Sequence, residues 1–173
     1  MVKRPARYVL VILPLLGIAT LGCQPPADTP STPPGQADAM DRHATGTFDV
    51  DLTPQESRET PEGSELGRTI IAKRFHGDIQ GTGSGQMLTA LSAVEGSAGY
   101  VAIEEVRGTV HGLEGSFLLQ HNGLMDRGAQ QLTITVVPDS GTGELEGIAG
   151  TMTLSLGDGT RAYQLTYRLQ GDG

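Results

Sequence analysis

From residue 44 to residue 169 the chain is a succession of short segments in which apolar and polar residues alternate, and this pattern limits the fold most. Alternation with a period of two is typical of strands that bury one face. No segment has the spacing of an amphipathic helix of normal length. About eight strands are predicted, with turns rich in Gly, Pro, Asp and Ser between them: 44–52, 66–77, 78–92, 99–112, 114–125, 130–138, 140–156 and 160–169.

Two stretches need a choice between structures. Residues 54–65, PQESRETPEGSE, are polar throughout and are predicted to form a loop. Residues 87–96, MLTALSAVEG, have a composition that a helix could also show. Because their neighbours are rich in strand-forming residues and no N-cap precedes them, a strand followed by a loop is favoured.

The order of these segments predicts the topology. Consecutive strands joined by short turns form an up-and-down meander, and closing the meander into a barrel removes its exposed edges. We therefore expect an all-β domain over residues 43–170. It should be a single small antiparallel up-and-down β-barrel of about eight strands, followed by a short tail at 171–173.

Four glycines lie in the segment SGTGELEGIAGTMTL, residues 140–154, which otherwise resembles a strand. Glycine weakens the interior of a strand, so glycines there indicate a bulge, a bend or a close approach of another chain segment. The strands of a small barrel are strongly coiled, and coiling concentrates at such positions. We predict that Gly141 and Gly143 mark the entry to the strand. Gly147 and Gly150 are predicted to allow close approach of a neighbour.

The N-terminal residues, MVKRPARYVLVILPLLGIATLGC, have a basic start followed by an apolar run that is too short to span a bilayer. They resemble a bacterial lipoprotein signal, which implies removal of residues 1–22 and lipidation of Cys23. Thr20 stands where the usual pattern has leucine. An ordinary signal peptide cut nearby, or an uncleaved anchor with a free cysteine, stays open.

The segment after Cys23 is predicted to be a tether. Residues 24–42 contain five of the ten prolines and almost no large apolar residue, so they cannot bury enough surface to order themselves. Residues 23–42 should therefore form a disordered, membrane-anchored tether. Gln24 follows the cysteine in place of the aspartate that marks inner-membrane retention, which by the same resemblance implies an exported protein at the outer membrane or cell surface.

Charge and motif content exclude several classes of function. The chain has 12 basic and 20 acidic residues, a net charge of −8, which argues against a nucleic-acid partner. The glycine-rich motifs are not followed by a helix, as a phosphate site requires, and no cofactor is predicted. The four histidines lack metal-ligand spacing, so no metal is predicted, although a site built from distant strands stays open.

Strand parity provides the candidate site. Tyr100 and Glu104 share one face of their strand, and Phe117, Leu119 and His121 share one face of the next. If the aromatic residues point inward, Glu104 and His121 lie together inside the barrel. Such a pair could perform acid–base chemistry or could be a structurally hydrogen-bonded pair at the barrel rim. From the final strand the inward face adds Tyr163, Leu165 and Tyr167.

Several motifs resemble a bacterial family known as domain of unknown function 3224. They are HATGTFDVDLTPQ at 43–55, KRFHGDIQGTGSGQML at 73–88, the stretch 96–128, and LTITVVPDSGTGELEGIAGTMTL at 132–154. The resemblance extends over about residues 44–169. It implies a fold like the allene oxide cyclase barrel, a small antiparallel barrel with an apolar cavity, and it supplies no functional residues.

Three functions remain open from the sequence. The first is a membrane-tethered barrel that binds a small apolar or amphipathic ligand, with Glu104 and His121 near its polar head. The second is an isomerase or cyclase acting on a lipid-like substrate, which the resemblance alone implies. The third is a structural or interaction module with a filled barrel, and interior volume separates it from the first. The sequence does not indicate an oligomeric state.

Overall fold

A computed structural model describes residues 41–157 and 160–170, and this part of the chain is all β. The predicted signal peptide, nearly all of the predicted tether and the tail at 171–173 lie outside the described residues. None of the described residues belongs to a helix with the length and hydrophobicity needed to span a bilayer. The strands are β1 (Arg42–Glu59), β2 (Glu65–Gly77), β3 (Ile79–Leu91), β4 (Ala98–Val110), β5 (Leu113–Asp126), β6 (Ala129–Val136), β7 (Thr142–Gly143), β8 (Ile148–Gly157) and β9 (Thr160–Leu169).

The strands form a closed up-and-down barrel, as predicted. Antiparallel pairing runs from β1 through β2, β3, β4, β5, β6 and β8 to β9, and β9 pairs with β1 to close the ring of eight strands. The two-residue strand β7 lies outside this ring and pairs with the start of β5. Each strand pairs with the next ring strand in sequence. Short connections favour this arrangement because they can join antiparallel neighbours but cannot cross over to more distant strands.

The prediction of a loop at residues 54–65 is wrong for residues 54–59, which belong to a strand. Strand β1 continues to Glu59 and stays paired with β2, with a register shift between Pro54 and Ser57. Its pairing with β9 ends at Thr47, so the later part of β1 is a sheet edge, where a proline and a bulge are tolerated. Both faces of residues 51–59 are exposed, and for that reason the segment shows no apolar alternation. The strand-then-loop prediction for 87–96 is confirmed.

The single strand predicted at residues 140–156 is also wrong. The chain forms β7 and a turn before β8 begins at Ile148. Gly143 and Gly147 have φ angles of 62° and 73°, a left-handed conformation that favours glycine, so Gly147 belongs to the turn. Gly150 does lie in a strand. A Cβ there would collide with the backbone of Thr166, which confirms the predicted close approach.

The inside of the barrel is packed at one end and open at the other. The packed end contains aromatic and aliphatic side chains from every ring strand, and among them Phe117, Leu119, Leu165 and Tyr167 are at most 1% exposed. Strand β1 runs from this end, where Ala44 is fully buried, towards the other, where Leu52 is 54% exposed. The remaining half of the interior therefore holds the candidate site.

Candidate functional site

The open half of the barrel is a cavity of about 520 Å³. Its walls are mainly apolar, and β1, β2 and β3 contribute Val50, Ile71 and Met87 to them. These residues share the inward face of their strands because alternate side chains point into the barrel. Its titratable lining groups are few: Lys73, Tyr100, His121 and Arg161. An apolar enclosure with a few polar groups is the usual composition of a small-molecule site.

Three charged or polar side chains meet at the bottom of the cavity, and we call them the floor cluster: Lys73, Glu104 and His121. The Lys73 ammonium donates a hydrogen bond of 2.7 Å to Oε2 of Glu104. His121 Nε2 lies 3.1 Å from the same oxygen, although its direction falls outside hydrogen-bond geometry. Glu104 is fully buried, and Lys73 and His121 are at most 9% exposed. Lys73 and His121 line the cavity, and Glu104 lies behind them.

The glycines of β3 make the floor cluster possible. Strand β3 lies between β2, which carries Lys73, and β4, which carries Glu104. Lys73 is directly opposite Gly83, so no side chain stands between the lysine and the carboxylate. A Cβ on Gly83 would collide with Oε1 of Glu104. The GTGSG motif therefore provides the space through which a β2 side chain reaches β4.

Two aromatic rings support the lysine. Its Nζ lies 5.1 Å from the ring centre of Phe48 and 5.8 Å from that of Phe75. A ring face attracts a cation most strongly where water is excluded. The rings therefore compensate part of the hydration that the ammonium loses at this depth.

The electrostatics keep Glu104 ionised. Burial raises the pKa of Glu104, whereas contact with His121 and the charge and hydrogen bond of Lys73 lower it. The contacts outweigh burial, so the pKa lies below its ordinary value of 4.5. Oε1 has no hydrogen-bond partner among the described residues. The carboxylate thus holds Lys73 and His121 in place without facing the cavity itself.

Tyr100 stands higher on the cavity wall than the floor cluster. Its ring packs against Gly123 on β5, where any Cβ would collide with it. Burial and the charge of Glu104 both raise the pKa of its phenol. The hydroxyl therefore stays protonated at neutral pH and can donate a hydrogen bond to a molecule in the cavity.

The structure divides the residues of the sequence-predicted site into two groups. All of them lie on the inward face of their strands, and Tyr100 and His121 line the cavity with Glu104 directly behind His121. Phe117, Leu119, Tyr163, Leu165 and Tyr167 belong instead to the packed end. Parity determines which face a side chain takes but carries no information on its depth along the barrel.

The sequence reasoning missed Lys73, the residue that completes the cluster. A usable signal was present, since Lys73 falls between Ile71 and Phe75 in the alternation of β2 and so occupies an inward position. A lysine on an inward face calls for a carboxylate partner. Arg161, which lines the cavity from β9, was missed for a simpler reason, because it is the second residue of that strand.

A second polar group lies at the packed end. Asp78 accepts hydrogen bonds from the Thr45 amide at 2.7 Å and the Thr45 hydroxyl at 3.1 Å, and the backbone bond is the main reason that its pKa is lowered. His111 Nε2 is 3.6 Å from Asp78, and His111 Nδ1 is 2.8 Å from the Tyr167 hydroxyl. These contacts tie the beginning of β1 and the end of β9 to the β2–β3 and β4–β5 turns. No group of three or more metal-ligating side chains is present in the described ranges.

The sequence and the structure both match a family of known proteins. The sequence matches the family model described as "Protein of unknown function (DUF3224)" over residues 44–167. The chain is also similar to a crystal structure of a protein with unknown function from the DUF3224 family of Shewanella oneidensis MR-1. That similarity has a TM-score of 0.73 and 44% sequence identity, and it covers 76% of this chain and 98% of the other. No curated protein matched the sequence.

Proposed function

The chain belongs to the DUF3224 family, and from its half-filled barrel we propose that it binds a small apolar or amphipathic ligand in the cavity. The observation that carries the proposal is the cavity of about 520 Å³ with apolar walls and a polar floor. Ligand sites commonly enclose about 300–1,000 Å³ and place a few polar groups to orient the ligand. A purely structural barrel would bury its inward side chains against one another throughout, as they do at the packed end.

A thermal-shift panel tests this function. We expect the melting temperature to rise with some members of a set of fatty acids, oxylipins and phenolics, because a ligand that binds only the folded state stabilises it. Compounds too large for the cavity are the matched negative set. If no member of the panel raises the melting temperature, the binding function is wrong and the barrel is a structural or interaction module.

An isomerase or cyclase is the second candidate, and the contact between His121 and Glu104 favours it. An imidazole that lines a cavity and contacts a buried carboxylate is an arrangement used in proton transfer. Since Glu104 lies behind His121, the imidazole and the Lys73 ammonium are the groups that could reach a substrate. Recovery of an altered compound after incubation with wild type, but not with His121→Asn, would support catalysis. Recovery of the unaltered compound in both cases supports binding alone.

We also propose that the barrel is exported and anchored to the membrane by a lipid on Cys23, at the outer membrane or cell surface. The support is the sequence before residue 43, where the only cysteine ends an apolar export-type segment. Changing Cys23→Ser should move the protein from the membrane fraction to the soluble fraction. A mature N-terminus at any residue other than Cys23 would overturn the proposal.

A further inference from the structure

The titratable side chains that line the cavity are mostly basic, whereas the chain as a whole is acidic. The chain has 20 acidic against 12 basic residues, yet among the described residues no aspartate or glutamate lines the cavity. Its lining cations or potential cations are Lys73, His121 and Arg161. Among the described residues, the only buried carboxylate nearby is Glu104, which lies behind Lys73 and His121 and does not line the cavity. An occupant of the cavity therefore meets basic groups and no acidic ones.

The floor cluster has donor capacity left over. The lysine ammonium has three N–H donors, and among the described residues its one hydrogen-bond acceptor is Glu104. His121 Nε2 is buried without an aligned hydrogen bond. One carboxylate oxygen thus lies within 3.1 Å of two basic nitrogens, and an additional acceptor placed above Lys73 would use the N–H donors that Glu104 does not engage. An anionic acceptor is favoured over a neutral one because hydrogen bonds between charged partners are the stronger kind.

The rim of the cavity indicates the orientation of the occupant. Three leucines at the mouth are partly exposed, Leu52 at 54%, Leu91 at 49% and Leu132 at 41%, beside the polar side chains of Gln130, Gln131 and Arg161. An apolar chain that extended from the floor would cover the leucines and remove that area from water. A ligand with its head at the mouth would leave the floor donors unused.

We propose that the ligand is an amphipathic anion whose head group binds Lys73 and His121 at the cavity floor and whose apolar chain extends to the leucine rim. This inference rests on the proposed binding function and names its ligand class. The head group is a carboxylate or a phosphate, which share the same chemistry. Tyr100 can donate a further hydrogen bond from the wall.

The test compares dodecyl compounds that differ only in their head groups. Dissociation constants of dodecanoate, dodecyl phosphate, dodecanol and dodecyltrimethylammonium are measured by calorimetry at neutral pH. We expect at least one of the two anions to bind about tenfold or more tightly than the alcohol, and the cation to bind most weakly. The better of the two anions identifies the head group.

Variants locate the head group. In Lys73→Met the affinity for the anion should fall to that of the alcohol, while the alcohol itself binds within about twofold of wild type. Because loss of the lysine leaves Glu104 unpaired, the double variant Lys73→Met with Glu104→Gln provides the same comparison without a buried lone charge. Arg161→Met is the matched control at the other lining cation and should keep the preference for the anion.

The outcomes separate the two proposals. Equal binding of anion and alcohol, or a preference that Arg161→Met removes and Lys73→Met does not, overturns the head-group assignment and leaves the binding function intact. Failure of all four compounds to bind overturns the assignment and counts against the binding function as well.

Discussion

At the scale of single residues, the most consequential feature is the presence of glycine at two inward positions of β3. The inward positions of β3 opposite Lys73 and Glu104 are glycines, Gly83 and Gly85, so the middle of that strand adds no bulk to the interior. This absence lets a lysine and a glutamate from non-adjacent strands meet. A buried ion pair is expensive to desolvate, and it is tolerated here because the geometry is close and two aromatic rings face the ammonium.

Gly83→Ala tests the importance of that space. The added methyl would collide with Oε1 of Glu104, so the carboxylate must move off Lys73 or the strand must shift. We expect a loss of about 1–3 kcal/mol in the free energy of unfolding, measured by urea denaturation. The control is Gly99→Ala on β4, where the nearest atom to the new methyl is the Leu124 side chain at 3.4 Å. Equal losses in the two variants would show that Gly83 is not required for the ion pair.

The floor cluster also predicts how stability depends on pH. The pKa of Glu104 is lower in the folded than in the unfolded state. The ionised carboxylate therefore stabilises the fold at pH values above 4.5, the ordinary pKa of the group. That contribution is lost as the pH falls through the folded-state pKa. Glu104→Gln should cost about 3–5 kcal/mol at neutral pH, and its deficit relative to wild type should shrink below pH 4.5.

Urea denaturation across this pH range measures the effect. Glu105→Gln, on the outward face of the same strand, is the control and should follow the wild type within about 0.5 kcal/mol at every pH. A deficit for Glu104→Gln that stays constant from neutral to acid pH would mean that Glu104 does not carry the stabilising charge.

At the scale of elements, β8 is the strand with the strictest steric requirements. Its first residues follow a turn that needs a left-handed glycine, and Gly150 then lies against the backbone of β9. Gly150→Val should push β8 away from β9 and destabilise the barrel by about 1–3 kcal/mol, read from chemical denaturation. Thr151→Val on the same strand should change stability by less than about 0.5 kcal/mol. An unchanged stability in Gly150→Val would show that the close approach is incidental.

The same elements show what a strand pattern can and cannot predict. Alternation located six of the eight ring strands closely, because each buries one face. It failed in the second half of β1, which pairs with β2 while both its faces are exposed, so that no apolar period arises. It also merged β7, a turn and β8 into one strand, because glycine supports both a bent strand and a left-handed turn.

At the scale of the whole molecule, the barrel combines a packed end with an open one. Parity placed Glu104 and His121 on inward faces, but depth along the barrel depends on strand tilt and register, which a single sequence does not reveal. For that reason Leu119 and Tyr167 were grouped with the site although they fill the packed end.

The most direct test of the central claim, that the open half of the barrel binds an apolar molecule, is a fluorescence titration with the neutral dye Nile red. Thr89 and Ala90 are adjacent on β3, and Thr89 lines the cavity whereas Ala90 lies on the outer face. Wild type and Ala90→Trp should bind the dye with similar affinity, and Thr89→Trp, which places an indole ring inside the cavity, should weaken binding about tenfold or more. Equal binding by all three proteins, or weakening only in Ala90→Trp, would place the dye outside the barrel and contradict the claim.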